Sequence, residues 1–159
     1  MEDHRRLDDL LHRATKDMDA IDMSLYSQFR SGLLKHIAME EKILFPAAQR
    51  YRGGKPLELA AKLRLDHGAI AALLVPPPSR TIVAALRSIL EKHDLLEEMP
   101  EGAYDMCEQL AGEELDSLMD SVLSSPEVPP NPYNPNPNVL EATRRALARA
   151  GYNLDDYTA

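Results

Sequence analysis

The sequence predicts an all-α chain with a proline-rich C-terminal extension and a short tail helix, and three observations carry that reading. Apolar residues recur at spacings of three and four through most of the chain, the period of a helix face rather than of a strand. No strand-like alternation of useful length occurs. Clusters of glycine and proline separate the periodic stretches and cut them into helix-sized pieces.

The first helix carries Leu7, Leu11, Ala14 and Met18 on one face, with Glu2 and Asp3 at the end where the helix dipole favours negative charge. The second begins near Asp19 and runs to about Arg50 on the stripe Phe29, Leu33, Ile43 and Ala47. Pro46 inside it predicts a kink or the end of its regular part. Gly53 and Gly54 break the chain, and Pro56 suits the first turn of a third helix bearing Ala60, Leu63, Ile70 and Leu74. That helix stops at Pro76, Pro77 and Pro78. Ser79 suits the N-cap of a fourth helix with Ile82, Leu86, Ile89 and Leu96 on one face. After Pro100 and Gly102, further helix runs through Leu110, Leu115, Leu118 and Leu123. From Pro126 to Pro137 six of twelve residues are proline, which reads as an extended linker. Asn138 is placed to cap a last short helix, with Glu141 at the reciprocal position and Gly151 to end it.

A length of 159 residues fits one domain. The 26 acidic and 18 basic residues leave a net charge of −8, which disfavours binding to nucleic acid. The longest apolar run, Ala69 to Val75, is seven residues, against about 20 needed to span a bilayer. The polar stretch Met1–Arg6 shows no secretory leader, and the single Cys107 offers no internal disulfide. The expectation is a cytoplasmic protein that binds neither nucleic acid nor membrane. Arg144, Arg145 and Arg149 make the tail helix the one locally basic element, and the candidate surface for self-association or for a partner.

Four of the five histidines fall on the apolar stripes. His4 precedes Leu7 by three, His36 follows Leu33 by three, His67 lies between Leu63 and Ile70, and His93 follows Ile89 by four. Residues at these spacings share a helix face, so each histidine points where its helix points its hydrophobes. Glu40 lies four residues after His36 and Glu97 four after His93, one turn away on the same faces. A buried unpaired carboxylate costs several kcal/mol, and no Lys or Arg occupies the stripes nearby. A metal cation would supply the missing charge, with neutral imidazoles completing its coordination; imidazole suits Zn, Fe, Ni and Cu alike. Helix rise supports convergence: His4 and His36 lie about 21 and 27 Å from the loop between them. His12, about 12 Å further along the first helix than His4, is expected at the surface.

These residues resemble the hemerythrin-like family, named for a His-His-Glu cation-binding motif. The resemblance is carried by Asp3-His4-Arg5-Arg6-Leu7, by His36 to Pro46 with Glu40-Glu41, by Asp66-His67, and by His93 to Pro100. It spans roughly residues 1–110. It implies an up-down-up-down four-helix bundle, with a metal-binding domain over 1–125 and the proline-rich linker and C-terminal helix over 126–159. It also implies a di-iron cofactor bridged by two carboxylates and an oxo or hydroxo group. His4 and His36 would then bind one iron, His67 and His93 the other, and Glu40 and Glu97 would bridge. Two departures stand out. Oxygen-carrying members hold a further His where this chain has Leu63, and an Asp five residues after the fourth-helix His, where this chain has Glu98. Glu97 is the first choice of bridge and Glu98 the second.

The resemblance implies a protein that binds or senses O2, NO or iron, its partner a small diatomic ligand or peroxide. The alternative is a di-iron oxidoreductase that decomposes peroxide or oxidises Fe2+. The missing imidazole at Leu63 leaves a more open centre, which argues against reversible oxygen carriage. Glu41 is expected to be solvated beside Lys42 rather than to hold an imidazole. Tyr26, Tyr104 and Cys107 are expected to serve bundle packing.

Overall fold

A computed structural model describes residues 2–158, and no strand forms among the described residues. The helices are α1 (Glu2–Ala14), α2 (Met23–Met39), α3 (Phe45–Tyr51), α4 (Ala60–Leu73), α5 (Arg80–Glu98), α6 (Ala103–Ala111), α7 (Leu115–Leu123) and α8 (Pro137–Arg149). A π turn, Glu40–Leu44, joins α2 to α3, and 3-10 turns occupy Gly112–Glu114 and Leu154–Tyr157. Among the described residues no helix is long and apolar enough to cross a membrane.

Local capping chemistry sets several boundaries differently from the apolar stripes. The second helix starts at Met23 rather than near Asp19, because the extended Asp22 accepts a hydrogen bond from the Leu25 amide at 3.0 Å. The regular α part of that helix ends at Met39, ahead of Pro46, but the helical run continues through a π turn into α3. Proline has no N–H for the Lys42 carbonyl and its ring crowds that oxygen. The chain responds by widening one turn, so that the Phe45 amide bonds the Glu40 carbonyl five residues back. Pro56 stands outside the third helix, which begins at Ala60 after a turn that buries Leu57. Ser79 caps α5 as expected, accepting from the Ile82 amide. The cap of α8 is Asn136, not Asn138: Pro137 takes the first helical position, where its fixed φ suits the helix, and Asn136 accepts from the Asn138 amide at 2.9 Å. Glu141 faces Arg144 instead of the cap.

α1 packs on α2, α4 on α5, and α8 on α4, while α6 lies against α3 and α5. α1 and α2 approach closely at Gly32, where a Cβ would sit 2.8 Å from Leu7 Cδ2. Apolar side chains gather in two clusters. One holds Leu11, Phe29, Ile70, Leu86 and Ile89 together with Leu147 and Leu154 from beyond the proline-rich segment. The other holds Phe45, Leu57, Leu63, Ala103 and Cys107. Along α2, α4 and α5 a histidine falls between residues of the first cluster and residues of the second, so the imidazoles form a polar layer between two apolar ones.

The proline-rich segment lies on the helices rather than away from them. The buried Arg30 donates to the Leu74 carbonyl at 2.7 Å and to the Asn131 carbonyl at 2.5 Å, and its guanidinium sits 4.0 Å from the centre of the Tyr133 ring. The Asn134 amide bonds the Val75 carbonyl at 3.0 Å. Thr143 of α8 donates to the Ala72 carbonyl at 3.2 Å.

Candidate metal centre

His4 on α1, His36 on α2, His67 on α4 and His93 on α5 are all buried, and Glu40 and Glu97 are fully so. The six side chains read from the sequence meet in one place. His12 does not join them and is exposed. The inward atoms of His4, His36, Glu40 and Glu97 all lie within 4.8 Å of one another, as do those of Glu40, His67, His93 and Glu97. The two groups share both carboxylates. Glu40 Oε1 lies 2.7 Å from His36 Nε2, and Glu40 Oε2 lies 2.8 Å from His67 Nε2. Glu97 Oε1 stands between His4 Nε2 at 3.3 Å and His93 Nε2 at 3.2 Å.

Each imidazole is held from behind by a carboxylate. His4 Nδ1 donates to Glu98 at 2.7 Å, His36 Nδ1 to Asp3 at 2.8 Å, His67 Nδ1 to Glu41 at 2.6 Å, and His93 Nδ1 to Asp66 at 3.2 Å. Ionised carboxylates only accept, so each Nδ1 carries its proton outward. The neighbouring His36, and then Arg6, hold the Asp3 carboxyl well below the usual carboxylate range against the opposing effect of burial. Glu41 therefore holds an imidazole, contrary to expectation, and bonds Arg64 with its other oxygen. Glu98 faces His4 Nδ1, while Glu97 faces the interior.

With the Nδ1 protons turned outward, neutral rings aim Nε2 lone pairs at one another. His4 and His36 Nε2 are 3.0 Å apart, and His67 and His93 Nε2 are 3.1 Å apart. Such pairs repel unless a cation or a proton is shared between them. Glu40 Oε2 and Glu97 Oε2 are buried without a hydrogen bond of acceptable geometry. Borderline nitrogen donors, unsatisfied carboxylate oxygens and two donor groups sharing two carboxylates fit a pair of transition-metal ions.

A scan of family models points the same way: the model described as the hemerythrin HHE cation binding domain matches residues 1–100. The chain belongs to the hemerythrin family. Searches of curated proteins and of solved structures returned no match.

The hemerythrin match ends before a residue that sequence reasoning placed in packing. Tyr104, on α6, brings its hydroxyl 2.6 Å from Glu40 Oε1, 2.9 Å from His4 Nε2, 3.0 Å from His36 Nε2 and 3.4 Å from Glu97 Oε1. The turn before α6 aims it. Glu101 takes a positive φ of 61°, and a Cβ on Gly102 would lie 2.7 Å from the carbonyl oxygens of Leu96 and Met99. Glycine at 102 lets the chain fold back on the end of α5. The spacing Glu97 to Tyr104 is helical, but Pro100 and Gly102 break the helix between them, so the period carries no phase across.

The carboxylates around the imidazoles of this hemerythrin-family chain favour the charged rings. Burial disfavours a charged His36, but Asp3 and Glu40 outweigh it and raise the ring to about 10. Burial is likewise outweighed at His93 by Asp66 and Glu97, again to about 10. Burial first, then the charges of Glu40 and Glu97, push the Tyr104 phenol far above the usual tyrosine range. A cleft of about 790 Å3 opens from the surface onto His4, His36 and His93, walled by Leu7, Leu33 and Leu90 and by Asp94. Burial raises the Asp94 carboxyl to about 6.

Proposed function

We propose that this hemerythrin-family protein holds a non-haem di-iron centre and binds or senses O2, NO or iron there. The observation that carries the reading is the pair of four-residue donor groups sharing Glu40 and Glu97. In this reading α1, α2 with α3, α4 and α5 form an up-down-up-down bundle, and residues 1–125 constitute the metal-binding domain. His4 and His36 hold one iron, His67 and His93 the other, and Glu40 and Glu97 bridge. The bound iron pair supplies redox chemistry and open positions for a diatomic ligand or peroxide.

The chain supplies the rest. Glu98, Asp3, Glu41 and Asp66 fix the imidazole tautomers and keep the Nε2 lone pairs inward. The two apolar clusters above and below the polar layer exclude bulk water from the donor atoms. The cleft of about 790 Å3 between α1 and α5 offers a small ligand a route toward His4, His36 and His93.

One observation favours a second reading, an oxidoreductase that splits peroxide. Asp94 lies on the cleft with Oδ1 3.6 Å from His4 Nε2, and in the metal-free chain burial raises its carboxyl to about 6. Peroxide reduction consumes protons, and a carboxyl on the cleft beside His4 is placed to deliver one.

Iron analysis of the protein, with an optical spectrum before and after air exposure, tests both readings. The expected result is about two irons per chain and a spectrum that changes with air. A chain that retains no iron overturns the di-iron reading. Catalytic loss of hydrogen peroxide in the loaded protein selects the enzyme.

A further inference from the structure

We propose that Tyr104 is a protein ligand of the metal centre, entering as a phenolate beside His4 and His36. The inference rests on the di-iron reading and adds a donor that lies outside the matched hemerythrin residues 1–100.

The geometry is that of a ligand rather than of a packing residue. The Tyr104 oxygen stands within 3.4 Å of four inward atoms, on His4, His36, Glu40 and Glu97, which are also the members of one donor group. The phenol's single proton satisfies only one of these four contacts. Glu40 Oε1 at 2.6 Å takes it. In the neutral form that metal binding requires, with Nδ1 protons turned outward, His4 and His36 aim their Nε2 lone pairs at the same point as the phenol oxygen. A cation among these atoms would accept a lone pair from each of the four residues and from the phenol oxygen.

Coordination replaces the phenol O–H bond with an oxygen–metal bond, and the proton leaves to solvent by way of the cleft that reaches His4 and His36. The phenolate adds one negative charge to an interior whose other inward anions are Glu40 and Glu97. A hard anionic oxygen donor favours the higher-charged, oxidised metal. The centre is thereby biased away from reversible oxygen carriage and toward the ferric state.

The test uses the full chain loaded anaerobically with Fe2+ and then oxidised in air. The ferric protein should show a visible phenolate-to-iron charge-transfer band. Resonance Raman excitation in that band should return ring modes that shift when the protein is grown on ring-deuterated tyrosine. Tyr104→Phe should abolish the band and keep the iron, whereas Tyr51→Phe, at the far end of α3, should retain the band. The isotope experiment needs no variant and stands even if Tyr104→Phe fails to fold. Full iron loading without tyrosine ring modes overturns the assignment of Tyr104 alone, as does an unchanged spectrum in Tyr104→Phe. Failure of the wild-type chain to take up iron overturns it together with the di-iron reading.

Discussion

Tyr152 donates a hydrogen bond to Asp66 Oδ1 at 3.1 Å, while Oδ2 of the same carboxylate accepts from His93 Nδ1 at 3.2 Å. Lys62 joins this chain of contacts, donating to Asp66 at 2.7 Å and to the Ala150 carbonyl at 2.9 Å. The segment after α8 thus ends one carboxylate away from an imidazole of the candidate centre. Asp66 is fully buried and orients that ring. Asp66→Ala is expected to weaken iron binding about 10–100-fold, the usual effect of losing a carboxylate behind a metal-bound histidine. Tyr152→Phe removes one support of that carboxylate and should cost about 1 kcal/mol or less, a few-fold in affinity. Chelator competition measures both. Equal affinity in wild type and Asp66→Ala would show that the carboxylate does not orient His93.

His36→Ala and Glu97→Ala should each lose iron together with a large part of the iron-dependent stability. Metal held only by the folded chain stabilises it by mass action, and each variant leaves buried charges unpaired. His12→Ala should keep wild-type iron content, because His12 is exposed on α1 away from the donor groups. Iron per chain and the melting temperature of the loaded protein check all three. Full iron content with an unchanged melting temperature in the first two would overturn the ligand assignment.

The six inward residues were legible because helical period alone sets their direction: a histidine three or four from a core leucine must point inward with it. The carboxylates behind the histidines were legible only as neighbours. Asp3 adjoins His4 but holds His36, Asp66 adjoins His67 but holds His93, Glu41 adjoins Glu40 but holds His67, and Glu98 adjoins Glu97 but holds His4. Each acid turns one residue away from the interior and meets the ring of another helix, a partnership that depends on how helices pack and leaves no spacing to read. Tyr104 was hidden for a different reason, the loss of helical phase at Pro100 and Gly102. The π turn was half visible: Pro46 announced a disturbance, but not that the chain would absorb it by widening a turn beside Glu40 and Glu41.

The pH dependence of the metal-free and loaded proteins should run in opposite directions. In the folded, metal-free chain His36 and His93 are raised to about 10 from 6.5. Their charges therefore contribute stability that is fully present below about pH 6.5 and lost as pH rises through about 10. Iron binding needs the neutral Nε2 atoms, so uptake displaces protons, and apparent affinity should rise roughly tenfold per pH unit for each proton displaced. Melting curves of the metal-free protein should fall with rising pH across this window while chelator competition shows tightening iron binding. Proton release on adding Fe2+ to a weakly buffered sample should accompany uptake. An affinity that is flat with pH would mean that iron does not compete for these nitrogens.

The tail separates stability from metal binding. Leu147 of α8 is fully buried in the same apolar cluster as Leu11 and Ile70, and Leu154 joins it. Leu147→Ala in the full chain should cost about 2–5 kcal/mol, the range for deleting a buried leucine side chain. Truncation after Ser125 removes that packing along with the Arg30, Lys62 and Asp66 contacts to the tail, and exposes the apolar face of α4 that α8 covers. All six proposed histidine and glutamate ligands, and Tyr104, lie before residue 125. The shortened chain is therefore expected to melt well below the full-length protein yet still take up iron, with the affinity loss limited to that of losing Tyr152 behind Asp66. Denaturant melts with and without iron, alongside iron per chain, distinguish the two effects. A truncated chain that is soluble and helical but cannot be loaded would place the tail within the metal-binding unit and overturn a domain boundary at Ser125.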